Sequence, residues 1–279
     1  MKTLGYYNGR YGEIDEMTVP MNDRSSWFGD GAYDAQLCRN YHIFAMDEHI
    51  DRFYRSASML DIRIPVEKAE LRDLLNELVN KLDTGNLIVY YQVTRGTGRR
   101  NHVFPDSPAN LWITMFPGEY ADGVTPIRLI TTEDTRYFHC NIKTLNLIPN
   151  VMASEAAKRA GCQEAVFIRP DGHVTECAHS NVHILQGGRL RTHPTDELIL
   201  PGIARAHLLN ACRETGIPTD ETPFTREELF NADEVIVTSS SHLCMRAEMI
   251  DGIPVGGKDA EDFEKLRRYL IDEFLRETD

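Results

Sequence analysis

The stretch HCNIKTLNLI, residues 139–148, places one lysine, Lys143, among Ile142, Leu145, Leu147 and Ile148. Two behaviours suit such a lysine. Its methylene stem can lie along apolar surface with the ammonium in water, or its uncharged amine can attack a carbonyl and form a Schiff base. The second needs company, because an aldehyde cofactor such as pyridoxal phosphate requires an anion site and an acidic partner for its ring nitrogen. In LILPGIARAHLLNACRETG, Gly202 stands just ahead of an expected helix start, where free N–H groups and the helix dipole favour a phosphate. Arg52 and the hydroxyl run Thr238-Ser239-Ser240-Ser241, after the apolar EVIV, are candidates to complete that site. Glu176, in DGHVTECAHSN, is the candidate carboxylate, since a carboxylate beside a pyridine nitrogen keeps it protonated. Each piece alone has an ordinary explanation: Gly–helix junctions are common, serine runs mark turns, and a strand-end glutamate is usually solvated.

The elements that must position these residues follow from pattern. Residues 4–20 read as a hairpin about Asn8-Gly9, residues 21–31 as a loop, and AYDAQLCRN as a strand. Asp47 is the expected N-cap of a helix whose Ile50, Phe53, Tyr54, Ala57 and Leu60 share one face, with Arg52 and Arg55 off that stripe. A second helix fits 66–82, and LIVYYQVT (87–94) and NLWITMF (110–116) read as buried strands. PGEYADG (117–123) has linker composition, giving a domain over 1–118, a linker over 119–124 and a domain over 125–279. In the second half, strands are expected at 165–169, 180–186 and 234–238, and helices at about 150–160, 203–215 and 260–276. Strands mixed with helices in both halves predict an α/β (α+β) fold of two lobes, with a small-molecule site in the cleft between them.

Composition narrows the function further. The 279 residues are 42% hydrophobic and 26% charged, and no apolar run approaches the roughly 18 residues of a membrane helix. MKTLGYYNGRYGEID lacks the apolar stretch of a signal peptide, so a cytoplasmic location is expected, without a membrane partner. Thirty basic against forty-three acidic residues give a net charge of −13, which argues against nucleic acid. The six cysteines form no CxxC pair, which argues against a disulfide framework and a thiolate metal site.

The motifs DRSSWFGDGAYDAQ, EHIDRFYRSA, YYQVTRGTGRRNHVFP, CNIKTLNLIPNVMASEA, VTECAHSNVHI, THPTDELILPGIAR and ADEVIVTSSS, in this order through nearly the whole chain, resemble the fold-type IV pyridoxal-phosphate enzymes, and within them the bacterial D-amino-acid aminotransferases. The resemblance implies that Lys143 binds pyridoxal 5'-phosphate as a Schiff base and then shuttles the proton between substrate and cofactor. It implies that Glu176 faces the pyridine nitrogen, that Arg52, Ser240 and the backbone of Ile203 and Ala204 hold the phosphate, and that Leu200 packs on the ring. Tyr33, Arg100 and His102 correspond to a trap for the substrate α-carboxylate, chemistry that suits a guanidinium and an imidazole donor. In that family the Arg-x-His pair reaches the site of a neighbouring subunit, which implies a homodimer acting on D-amino acids and 2-oxo acids.

The sequence departs from the pattern in two places. Cys177-Ala178-His179-Ser180 stands where relatives have a serine run, and Ala204 replaces a helix-start threonine, so altered cofactor affinity or substrate preference is expected. His179 has two open roles, near the site or simply packed. Within the fold, the alternatives are a branched-chain L-amino-acid aminotransferase, an aminodeoxychorismate lyase and an (R)-selective amine transaminase; the Arg-x-His pair favours the D-amino-acid enzyme. A metal-dependent hydrolase using His173, Glu176, His179 and His183 is the alternative of another class, but the spacing matches no recognised zinc pattern. A non-enzymatic binding module is the remaining one.

Overall fold

Asn8 and Gly9 both adopt positive φ, 46° and 90°, the conformation of a two-residue hairpin turn. They join β1 (Leu4–Tyr7) to β2 (Arg10–Gly12) in the computed structural model, which describes residues 1–279. The hairpin stops short of the expected residue 20, because a 3-10 turn at Ile14–Glu16 follows it. The chain forms two compact units: Met1–Glu119 with Ile142–Asn146 and Leu275–Asp279, and Tyr120–Asn141 with Leu147–Phe274.

The first unit continues with α1 (Arg24–Phe28), where a loop over 21–31 was expected. Asp23 caps this helix by accepting from the Ser25 N–H, and Gly29 ends it at φ 60°, a conformation costly for a residue with a Cβ. β3 (Gly31–Arg39), β4 (His42–Ile43), α2 (Met46–Met59), α3 (Lys68–Val79), β5 (Leu87–Thr94) and β6 (Asn110–Pro117) complete the unit. Its sheet runs β2-β1-β6-β5-β3-β4, with α2 and α3 packing Ile50, Phe53, Ala57, Leu71, Leu75 and Leu78 into one core with Val89 and Tyr91. Ala45, not Asp47, takes the cap position of α2; Asp47 sits in the first turn, where the helix dipole still favours it. Arg52 lies off the apolar stripe, as expected, yet is buried, because α2 buries a second, polar row: His49, Arg52 and Ser56.

The second unit comprises β7 (Ile127–Glu133), α4 (Ile148–Arg159), β8 (Glu164–Ile168), β9 (His173–Cys177), β10 (Asn181–Gln186), β11 (Arg189–Thr192), α5 (Ile203–Thr215), β12 (Thr219–Asp220), β13 (Phe224–Thr225), α6 (Arg226–Asn231), β14 (Glu234–Thr238), β15 (Met245–Ile250), β16 (Ile253–Pro254) and α7 (Ala260–Glu277). The sheet order is β12-β11-β10-β14-β15-β7-β8-β9-β13, with parallel pairs at β15/β7, β7/β8 and β11/β12 and antiparallel pairs elsewhere. Two sheets and seven α-helices make the chain a mixed α+β protein, as expected. No helix is long and apolar enough to cross a membrane.

Candidate active site

Lys143 is set by a short extended segment that pairs with the start of β3. Its carbonyl accepts from the Tyr33 N–H at 2.9 Å, Leu145 N–H donates to Gly31, and Thr144 bridges Ala32. From the α2 side, the Ser56 hydroxyl accepts from the Lys143 N–H at 3.1 Å. The half-buried side chain turns to Tyr33: Nζ lies 3.4 Å from the phenol oxygen and 4.4 Å from the ring centroid. Hydroxyl and π-face together offset the desolvation of the amine. Tyr33 is itself stacked on Tyr90, with ring centroids 5.5 Å apart.

Arg52 is buried because β3 supplies its counter-ion. Asp34, fully buried, accepts from Arg52 Nε at 2.9 Å and Nη2 at 2.7 Å, and meets His49 Nδ1 at 2.7 Å. Burial alone would raise the Asp34 pKa, but Arg52 and then His49 hold it well below the usual carboxylate range. Burial lowers the His49 pKa despite Asp34, so the ring is neutral at pH 7, and the hydrogen on Nδ1 is assigned by the ionised carboxylate, which can only accept. Arg100 and His102 stand exposed on the loop between β5 and β6, both against the Phe28 ring.

Glu176, at the end of β9, is buried at 5% exposure. Oε1 pairs with Arg136, and Oε2 accepts from Asn181 Nδ2 and the Leu200 N–H, each at 3.0 Å. Arg136 also donates to Asp134 Oδ2 at 2.9 Å and lies over the Phe167 ring. Burial pushes the Glu176 pKa up to about 7 although Arg136 opposes it. The sequence reading missed Arg136, Asp134, Asp34 and Asn181; no local pattern marks them, since each is tied to its partners only by folding.

Gly202 caps α5 without a side-chain bond, and the first intrahelical bond is from Ala206 N–H to Gly202 C=O. The N–H groups of Ile203 and Ala204 therefore have no partner within the helix, the arrangement that takes an anion. A Cβ on residue 202 would lie 2.1 Å from Asn181 Oδ1, so the same glycine lets the helix start approach the Glu176 cluster. Ser240 follows β14, whose Thr238 pairs with Asn181. The structure thus brings Glu176, Leu200 and the α5 start together in the second unit, and Lys143 with Tyr33 in the first. His179 Nδ1 meets the carboxylate of the buried Glu164, which also accepts from Ser180 Oγ at 2.8 Å. His183 is held between the hydroxyls of Thr192 and Thr238, its pKa lowered to about 3 by burial, and no group of three or more His, Cys, Asp or Glu is arranged to hold a metal ion.

Comparison with known proteins places this geometry. The family model of class IV amino-transferases matches residues 31–250. A D-alanine aminotransferase of Listeria monocytogenes serotype 1/2a (strain 10403S) is 40% identical, covering 99% of this chain and 97% of the relative; one of Bacillus licheniformis is 40% identical over 100% and 99%. Among solved structures, the branched-chain amino acid aminotransferase of Escherichia coli superposes with a TM-score of 0.89 at 21% identity, covering 100% of this chain and 96% of that one. Another branched-chain amino acid aminotransferase, from T.th. and solved with pyridoxamine 5'-phosphate, superposes at 0.89 with 24% identity, covering 98% and 94%. At these identities the structures speak for the fold, and the matches along the sequence speak for the family: the chain belongs to the class IV aminotransferases.

Proposed function

We propose that this aminotransferase is a pyridoxal-phosphate-dependent D-amino-acid transaminase, which takes the amino group of a D-amino acid of the D-alanine or D-glutamate type and passes it to a 2-oxo acid in two half-reactions. The observation that carries the proposal is the 40% identity, over nearly the whole chain, to relatives named D-alanine aminotransferase. The Arg100-x-His102 pair supports it, being a two-donor arrangement suited to an α-carboxylate. The branched-chain enzymes share the fold at under 25% identity, which carries no substrate.

The residues present fit the cofactor: a buried carboxylate for a ring nitrogen, a helix start without a side-chain cap for a phosphate, and a half-buried amine against a phenol. When bound, pyridoxal phosphate supplies the electron sink for the charge left at Cα. Lys143 holds the cofactor through its amine and, once released, carries the proton from Cα; one such group typically contributes about 10²–10⁴-fold. Glu176 faces the ring nitrogen. Arg136 and Asn181 fix its two oxygens, so the carboxylate keeps one orientation. Arg52, the N–H groups of Ile203 and Ala204, and the Ser240 hydroxyl would hold the phosphate, and Leu200 would pack on the ring. Tyr33, Arg100 and His102 grip the substrate carboxylate and thereby choose the hand of the substrate.

We place Arg100 and His102 in the neighbouring subunit's site, in a homodimer. Exposed Val103 and Phe104 in the same loop supply apolar surface for such a partner. A cytoplasmic location belongs to the same proposal, and six free cysteines suit a reducing compartment. The test is the absorbance of the protein with pyridoxal phosphate, titrated with D-alanine and then L-alanine. Conversion of the cofactor band by the D isomer alone is expected; conversion by the L isomer alone would overturn the substrate assignment, and no bound chromophore would overturn the cofactor assignment.

A further inference from the structure

We propose that Phe28, backed by the buried Arg24 and its partner Asp30, is a positioning platform that presets Arg100 and His102 for carboxylate binding. This rests on the reading that those two residues receive the substrate α-carboxylate. The His102 ring lies 5.1 Å from the Phe28 ring centroid, and the Arg100 guanidinium 5.3 Å from it. The Arg24 guanidinium lies 4.9 Å from the same centroid. Arg24 is 3% exposed; its Nη1 donates to the carbonyls of Asn101 at 2.6 Å and Val103 at 3.2 Å, the residues on either side of His102.

Asp30 anchors the arrangement from below the loop. It accepts from Arg24 Nε at 2.6 Å and from Arg95 Nε at 3.0 Å, and the Arg95 guanidinium stacks 3.6 Å over Phe104, two residues beyond His102. Three further bonds pin the loop base to α1 and the residues before it: Arg24 N–H to Gly96 C=O at 2.9 Å, Gly98 N–H to Asn22 C=O at 3.0 Å, and Trp27 Nε1 to Gly98 C=O at 3.3 Å.

The physical gain is pre-organisation. An exposed loop free to move would have to be ordered as substrate binds, at an entropic cost for every backbone residue fixed. Arginine meets an aromatic ring through the face of its guanidinium, which leaves the N–H edge for a carboxylate. Phe28 thus acts through Arg100 and His102 and touches no reacting atom.

The test uses the holoenzyme with Phe28→Leu and Phe28→Tyr. Leucine is expected to raise the KM for D-alanine about tenfold and to weaken inhibition by propionate, a carboxylate without an amine, by the same factor. Tyrosine, which restores the ring, is expected to restore both, with kcat and the cofactor dissociation constant unchanged throughout. Unchanged KM and inhibition in Phe28→Leu, or a fall in kcat and cofactor affinity alongside them, would overturn the platform. Arg100→Ala separates the two layers: unchanged kinetics there would overturn the carboxylate reading itself, while a raised KM in Arg100→Ala beside normal Phe28→Leu would remove only the platform.

Discussion

Glu176 shows how burial and partners compete at one side chain. Its folded pKa of about 7 lies above the ordinary 4.5, so the folded chain holds a proton that the unfolded chain has lost. The stability this contributes is fully present below about pH 4.5 and is lost as pH rises through about 7. Glutamine cannot titrate, so cofactor-free Glu176→Gln should gain on the wild type by up to about 3 kcal/mol as pH rises from 4.5 past 7, read by urea unfolding at a series of pH values. A constant difference would mean a carboxylate ionised throughout. Lys143→Ala should lower turnover of D-alanine by at least about 10²-fold and abolish covalent attachment of the cofactor; undiminished turnover would place the essential amine elsewhere. The sequence singled out both residues, a lysine in apolar company and a glutamate closing a short strand, and the structure half-buries the first and buries the second. Arg136 was not singled out: its carboxylate partners are Asp134, two residues away in an irregular segment, and Glu176, forty residues on, and only the fold unites them.

At the scale of elements, α5 matches its expected span of 203–215 because its punctuation is local, Gly202 before it and Gly216 in the left-handed conformation after it. α1 was read as loop because a five-residue helix has no periodicity to find; its start depends on Asp23, itself held by Thr94 and Asn110 from β5 and β6. Likewise nothing in the α2 pattern shows that Arg52, off the apolar stripe, is buried; β3 places Asp34 beside it. The α5 start carries Ala204, which has no hydroxyl, behind Gly202. Ala204→Thr should therefore tighten pyridoxal-phosphate binding up to about tenfold in an absorbance titration of cofactor-free protein. No change would show that this helix start lies away from the phosphate.

For the whole molecule, the reading of Arg100 and His102 as acting across subunits makes a prediction that neither residue makes alone. Lys143→Ala and Arg100→Ala chains, each inactive or weak, should recover D-alanine turnover when mixed by joint refolding, since one site of a hybrid dimer then receives both intact residues. Activity no higher than the sum of the parents would confine each site to one chain. The α+β class, and most of the longer strands and helices of each half, were legible from alternating and helical periodicities, whereas the short elements α1, α6, β12, β13 and β16 have no period to read. The grouping of Ile142–Asn146 with the first unit was not legible, because it depends on pairing Thr144 with Ala32 across more than a hundred residues.

That pairing has a consequence for how the fold closes. Residues 1–119 supply all six strands of the first sheet, and the segment that carries Lys143 joins them from across more than a hundred residues. A contact of such sequence separation is slow to close and belongs late in folding. The core of the first unit is thus built within residues 1–119, while the position of Lys143 depends on long-range pairing with β3.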